Sequence, residues 1–236
     1  HRLKFEELFF LQISLLKQKR IRKIKMKSYK FHKVGPNFNI FYNQHLDFKL
    51  TNAQKKVMQE IRKDMATGFQ MNRLLQGDVG SGKTVIAIMS ILLSYDNGFQ
   101  SCLMAPTEIL ATQHINSINN FAHHIGLNVV LLTGKTKKNV KKQIISDLKD
   151  NKVDLIIGTH ALIEDNIVFN NLGLVTIDEQ HKFGVSQRAK LWASKNVLPH
   201  VLVMTATPIP RTLAMTAYGD LDLSIIDELP PNGLVN

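Results

Sequence analysis

Residues 77–84 read GDVGSGKT, a stretch whose residue types and spacing point to one chemistry. Glycines there let the backbone curl so that successive N–H groups turn inward, where they can hold phosphate oxygens. The pattern G-x-x-x-x-G-K-[ST] is the phosphate-loop motif, and a helix starting at Lys83 would add its positive N-terminal end. Gly77, Gly80, Ser81 and Gly82 would then line a polyphosphate. Lys83 would reach its β- and γ-phosphates, and the Thr84 hydroxyl would ligate Mg²⁺. This predicts a nucleoside triphosphate site.

A second stretch, LGLVTIDEQHKFGV at 172–185, passes abruptly from an apolar run into Asp178, Glu179, Gln180 and His181. Acidic residues beside a histidine are compatible with a metal cage, an acid/base pair or a polar loop. The phosphate loop discriminates among them. A nucleoside triphosphatase needs one carboxylate to hold Mg²⁺ and a second to orient or deprotonate the attacking water. Asp178 and Glu179 fit those roles in that order. A zinc site fits poorly, because His181 lacks ligand partners at the usual spacings and Cys102 is distant in sequence.

The third stretch is VLVMTATPIPRT at 201–212. It reads either as a strand end with proline turn chemistry or as a sensor. In the second reading the Thr205 and Thr207 hydroxyls bond the acidic loop and report the γ-phosphate.

Such residues must be held by a scaffold, and the remaining sequence supplies one. Short β-rich runs occur at 73–76, 101–105, 128–133, 153–158, 172–177 and 200–205, and helical segments such as 83–95, 107–125 and 139–149 lie between them. Strands alternating with helices imply βαβ units and a mainly parallel sheet flanked by helices, an α/β fold with its ligand at the carboxyl ends of the strands. Before this region, residues 3–27 predict one long helix with a broad apolar stripe that turns basic at 17–27. That end is either a solvated face or a phosphate-contacting arm. A loop at 34–39 follows, so the expected organisation is a linker helix and loop over 1–45 and a nucleotide-binding domain over 46–236.

The net charge of +11 suggests a polyanionic partner, nucleic acid before anionic membrane. A single cysteine excludes an intrachain disulfide and suits a reducing, cytoplasmic compartment. No apolar run reaches the ~18 residues of a membrane span. The first residues, HRLKFEELFF, lack Met and a signal-peptide pattern and read as the interior of a longer protein, and ELPPNGLVN at the other end stops after a turn-like pattern.

In order along the chain, GDVGSGKT, APTEILATQH, IGTHALI, IDEQHKFGV and TATPIPRTLAMTAYGDLDLSIID together resemble the superfamily 2 DNA helicases, and within them the bacterial RecG family of branch-migration helicases. The resemblance runs across nearly the whole chain. The transcription-repair coupling factors usually read D-E-E-H where this chain has DEQH, so Gln180 favours the RecG family. What the resemblance implies is a RecA-like first motor lobe that binds ATP and Mg²⁺ and works on branched or duplex DNA. LTNAQKKV resembles the Q motif, with Gln54 at the adenine edge and Phe48 packing on the base. Gln180, His181 and the Thr205-Ala206-Thr207 motif would couple nucleotide state to DNA. Pro106 and Thr107, with Thr159 and His160, would touch the DNA backbone.

There are departures from the family. Lys182 replaces the common arginine, and PPNG replaces the usual PPGR. The family closes its ATP site with a second RecA-like lobe carrying an arginine finger, and recognises forks with a wedge domain. Neither fits within these residues. The expectation is therefore a lobe that binds ATP·Mg²⁺ but hydrolyses it poorly alone. The rival expectations are a coupling-factor type translocase on duplex DNA and a nucleotide-dependent binding module without turnover.

Overall fold

In a computed structural model, the structure describes residues 26–164, 166–179, 197–207 and 221–229, together with Phe9, Phe10, Ile13, Ser14 and Lys17. Seven strands form one sheet, all in parallel: β1 (Asn72–Gly77), β2 (Gln100–Met104), β3 (Val129–Leu132), β4 (Leu155–Gly158), β5 (Leu172–Asp178), β6 (His200–Thr205) and β7 (Asp222–Ile226). The spatial order is β3-β4-β2-β5-β6-β1-β7. Six strands fall on the runs expected from the sequence, and β7 adds an edge beside β1.

Parallel neighbours need a crossover, and helices supply it on both faces. On one face lie α2 (Asn52–Met65), α3 (Lys83–Asp96) and α4 (Glu108–Ile125), which share a core with Leu75, Leu103, Leu155, Ile157, Leu174, Leu202 and Met204. On the other face, α5 (Lys138–Lys149) and a 3₁₀ turn at His160–Ile163 pack with Cys102, Met104, Ile156, Val175, Ile177, Val201 and Val203. The strands alternate between the two cores residue by residue, as a pleated sheet covered on both sides requires.

The helices form where local chemistry favours them. A reciprocal capping box opens α2: the Thr51 side chain accepts from the Gln54 N–H, and the Gln54 side chain accepts from the Thr51 N–H. In α3 every residue from Val85 to Ser94 is buried, so this helix is the centre of its layer rather than a surface helix. Thr107 caps α4, whose inward stripe is Ala111, His114, Ile118, Phe121, Ala122 and Ile125. One member of that stripe is polar.

The N-terminal expectation needs correction at its end. Phe9, Phe10, Ile13, Ser14 and Lys17 are helical, but Met26 is not, and Lys27 and Ser28 make isolated bridges to Phe69 and Leu198. Residues 26–45 lie on the lobe. Phe31 stacks on Phe99 at 5.2 Å and meets the His200 ring edge-on at 4.9 Å. Asp96, closing α3, accepts the Phe38 N–H at 2.9 Å and the Asn37 N–H at 3.3 Å, which fixes the short helix α1 (Pro36–Ile40) and the π turn after it (Phe41–His45).

Candidate nucleotide site

Strand register brings the motifs together. Gly158 of β4 aligns with Met104 of β2, Met104 with Ile177 of β5, Asp178 with Met204 of β6, and Thr205 with Gln76 of β1. The carboxyl edge of the sheet therefore runs from Thr159 and His160, past Pro106 and Thr107, through Asp178 and Glu179 and the Thr205–Thr207 turn, to Gly77 and the loop. Residues more than a hundred positions apart become neighbours because all strands point the same way.

At that edge the loop takes the expected form. Gly80 and Gly82 adopt φ of 81° and 86°, a region L side chains avoid. Gly77 has no room for a side chain, since a Cβ there would lie 2.5 Å from the Ser81 hydroxyl. That hydroxyl is buried and finds no hydrogen-bond partner among the described residues. Lys83 folds over the loop and donates to the carbonyls of Gly77 at 2.6 Å and Asp78 at 2.9 Å. Burial lowers its pKa, while the negative charges of Glu179, Asp178 and Asp78 oppose that shift. The ammonium thus feels both acidic residues across the sheet edge. Thr84 is half-buried in the first turn of α3.

Gln54 is fully buried and engaged at both ends: Oε1 accepts the Thr51 N–H at 2.9 Å, and Nε2 donates to the Ser81 carbonyl at 2.8 Å. It holds the phosphate loop from behind. Phe48 is half-buried against the α2–α4 core.

The acidic strand end carries two features beyond the sequence reading. Asp178, on the same face of β5 as Leu174, meets His114 of α4, with Nε2 3.0 Å from Oδ2. Glu179 sits in the left-handed region with φ of 50°, and its Oε1 accepts the Ala206 N–H at 3.1 Å. The expectation is that the Thr205 and Thr207 hydroxyls bond the acidic loop, of which the described residues include Asp178 and Glu179. Those hydroxyls bond each other at 2.7 Å, and the described contact to Glu179 comes from the backbone between them. Gln180, His181 and Lys182 lie outside the described residues.

On the far side of the carboxylates, Thr107 uses its hydroxyl to cap α4 by accepting the Leu110 N–H at 3.3 Å, yet remains exposed. Pro106 is half-buried and His160 exposed. The Thr159 hydroxyl is buried without a partner among the described residues. Sequence reasoning missed His114. Its signal was a histidine on an otherwise apolar helical stripe, which must find a polar partner.

Mg²⁺ favours hard oxygen donors and is held by one or two side chains plus substrate phosphates rather than by a protein cage. A lone carboxylate and a threonine hydroxyl fit that habit. Among the described residues no three His, Cys, Asp or Glu side chains cluster to cage a metal.

An all-parallel sheet with a glycine-rich loop between β1 and α3 and acidic residues ending a nearby strand defines a RecA-like P-loop lobe. Residues 51–216 match the DEAD/DEAH box helicase family, and the chain belongs to that family. It is similar to ATP-dependent DNA helicase RecG of Synechocystis sp., at 50% identity over 98% of this chain and 27% of that protein. RecG of Aquifex aeolicus is 48% identical over 96% of this chain and 28% of its own length. A solved structure described as RecG bound to a three-way DNA junction superposes with a TM-score of 0.83 and 46% identity, over 98% of this chain and 30% of that one. The helicase domain of Pyrococcus furiosus Hef, at 20% identity, a TM-score of 0.55 and coverage of 74% of this chain and 38% of that one, shares the fold. The chain thus spans under a third of the RecG proteins named here.

Proposed function

We propose that this chain is the first, ATP-binding motor lobe of a RecG-type helicase that remodels branched DNA in recombination and repair. The observation that carries the reading is electrostatic. Lys83 sits on a glycine cradle at one strand end and feels the Asp178 and Glu179 carboxylates. In this reading Gly77, Gly80, Ser81, Gly82 and Lys83 bind the triphosphate, and Thr84 and Asp178 hold Mg²⁺. The bound ion would neutralise charge on the β- and γ-phosphates. Glu179 orients the attacking water and accepts its proton. Ala206, between Thr205 and Thr207, fixes the Glu179 carboxylate from the next strand. Gln180 and His181 pass the nucleotide state onward. Gln54 and Phe48 meet the base, Gln54 from an amide already engaged with the loop.

Pro106, Thr107, Thr159 and His160 form the proposed DNA-backbone face on the same sheet edge. Exposed Lys135 and Lys137, between β3 and α5, and Lys138, the first residue of α5, extend it with positive charge. Backbone contacts suit a motor that moves irrespective of sequence. Residues 46–236 are the proposed lobe and 1–45 the connecting segment. A second RecA-like lobe would close the site with an arginine, worth roughly 10³–10⁵ in turnover, and a wedge domain would select forks.

The test is ATP binding and hydrolysis by this chain and by the full-length gene product, with and without branched DNA. The expected result is Mg²⁺-dependent ATP binding by the chain alone, slow hydrolysis, and strong junction-stimulated hydrolysis by the full-length protein. Brisk turnover by the isolated chain that Lys83→Ala leaves unchanged would overturn the site assignment. Turnover stimulated equally by linear duplex would favour a coupling-factor type translocase. DNA binding should weaken steeply with salt.

A further inference from the structure

We propose that His114 is a positioning residue that fixes the Asp178 carboxylate for its cation. This rests on the nucleotide-site reading above and adds a residue to it. Ala111, Ile118, Phe121, Ala122 and Ile125 are apolar and buried, and His114 occupies the same stripe with only 8% of its surface exposed. A buried imidazole N–H without a partner would be costly, so such a position is compatible with folding only if a partner is built in. The partner is Asp178: Nε2 lies 3.0 Å from Oδ2, and the side chains are 9% and 14% exposed. An ionised carboxylate only accepts, so the hydrogen sits on Nε2.

The consequence for the site is directional. Asp178 ends β5, the last residue of the strand, where it is only partly buried, whereas Leu174 and Val175 deeper in the sheet are fully buried. Its rotation about χ1 and χ2 is limited from the α4 side by one hydrogen bond. With Oδ2 held by His114, Oδ1 would be the oxygen left available to a bound cation. The anchor is stiff, because His114 stands about two turns into a helix whose start is pinned by the Thr107 cap. Residues that orient a metal-binding carboxylate in this way commonly change metal affinity 10–100-fold when removed.

The experiment titrates Mg²⁺ into the 236-residue chain at a fixed concentration of a fluorescent ATP analogue, alongside the same binding in EDTA and a thermal melt. His114→Leu should bind the analogue in EDTA as the wild type does, yet need about tenfold more Mg²⁺ for half of the Mg²⁺-dependent gain. His114→Gln, which offers an N–H near the Nε2 position, should recover most of that loss. His114→Asn, one methylene shorter, should behave like the leucine variant and replaces it if that protein does not fold. A wild-type Mg²⁺ midpoint in both the leucine and asparagine variants, or equal losses in Gln and Asn, overturns the role of His114. Asp178→Asn separates the two levels: an unchanged Mg²⁺ requirement there overturns the site reading and this inference with it.

Discussion

The Ala206 N–H donates to Oε1 of Glu179 across 3.1 Å, from the turn after β6 to the residue after β5. Glu179 reaches that bond from a left-handed backbone, φ 50°, which an L residue adopts at a cost of about 1–3 kcal/mol. The strain falls immediately after β5, at the sheet edge. It is offset by the hydrogen bond and by the packing of β5 and β6 beneath it.

Glu179→Gln should therefore leave ATP affinity within about twofold, because the amide oxygen still accepts from Ala206, and lower DNA-stimulated hydrolysis by about 10²–10⁴. Glu179→Gly should abolish hydrolysis equally but leave stability within about 1 kcal/mol of wild type, since glycine relieves the left-handed strain. Urea melts beside single-turnover kinetics check both. A strongly destabilised glycine variant would show that the side chain, rather than the turn, holds the strand end.

Lys83 carries a pH signature. Its folded pKa lies below 10.5 because burial disfavours the ammonium. The unfolded chain therefore binds more protons through that window, and stability rises as pH climbs through it. At neutral pH the folded lobe bears the full cost. Lys83→Met should melt no lower than wild type without nucleotide, yet lose the gain of about 2.7 kcal/mol that wild type shows at ATP a hundredfold above Kd. Thermal shift with and without ATP·Mg²⁺ reads both effects.

His200 makes the lobe acid-labile. It is fully buried, accepts the Met71 N–H at Nδ1 and donates from Nε2 to the Tyr29 carbonyl. Burial pushes its pKa down to about 4. A depressed histidine is neutral in the folded state, so stability is complete above 6.5 and is lost as pH falls from there towards 4. The loss is on the order of 3 kcal/mol. Urea midpoints between pH 7 and 4.5 should drop accordingly. His200→Phe should start less stable, with two backbone groups unpaired, and show a flatter dependence over that range.

Gln54 can be assigned by nucleotide preference. Its amide supports the phosphate loop through the Ser81 carbonyl, so Gln54→Ala should weaken ATP and GTP binding alike by about tenfold, and the proposed contact with the base should add a further loss for ATP only. Selective loss of ATP binding, with GTP unchanged, would show that the adenine edge is its main partner.

Much of this lobe is legible in its residues. The glycines at 80 and 82 announce positive φ, and Lys83 and Thr84 follow at the spacing of the phosphate-loop motif. The six apolar runs announce buried parallel strands, because strands covered on both faces show no polar alternation. The seventh strand escaped notice: DLSII is short, half polar and at the sheet edge, so its composition resembles a loop. That Met26 is not helical was hidden for a related reason, since a basic run carries no signal for where a helix stops.

Local chemistry thus determined the loop, the carboxylates and the class of ligand, each written within ten consecutive residues and dictated by backbone sterics and charge. Tertiary structure alone decided which groups meet. The register of β2, β5 and β6 places Glu179 against the Ala206 amide. The packing of α4 on the sheet sets His114 against Asp178, sixty-four positions away. The capping box of α2 delivers Gln54 to the back of the loop. Such pairings depend on how far apart in space the folded layers hold two side chains, and sequence separation carries no record of that distance.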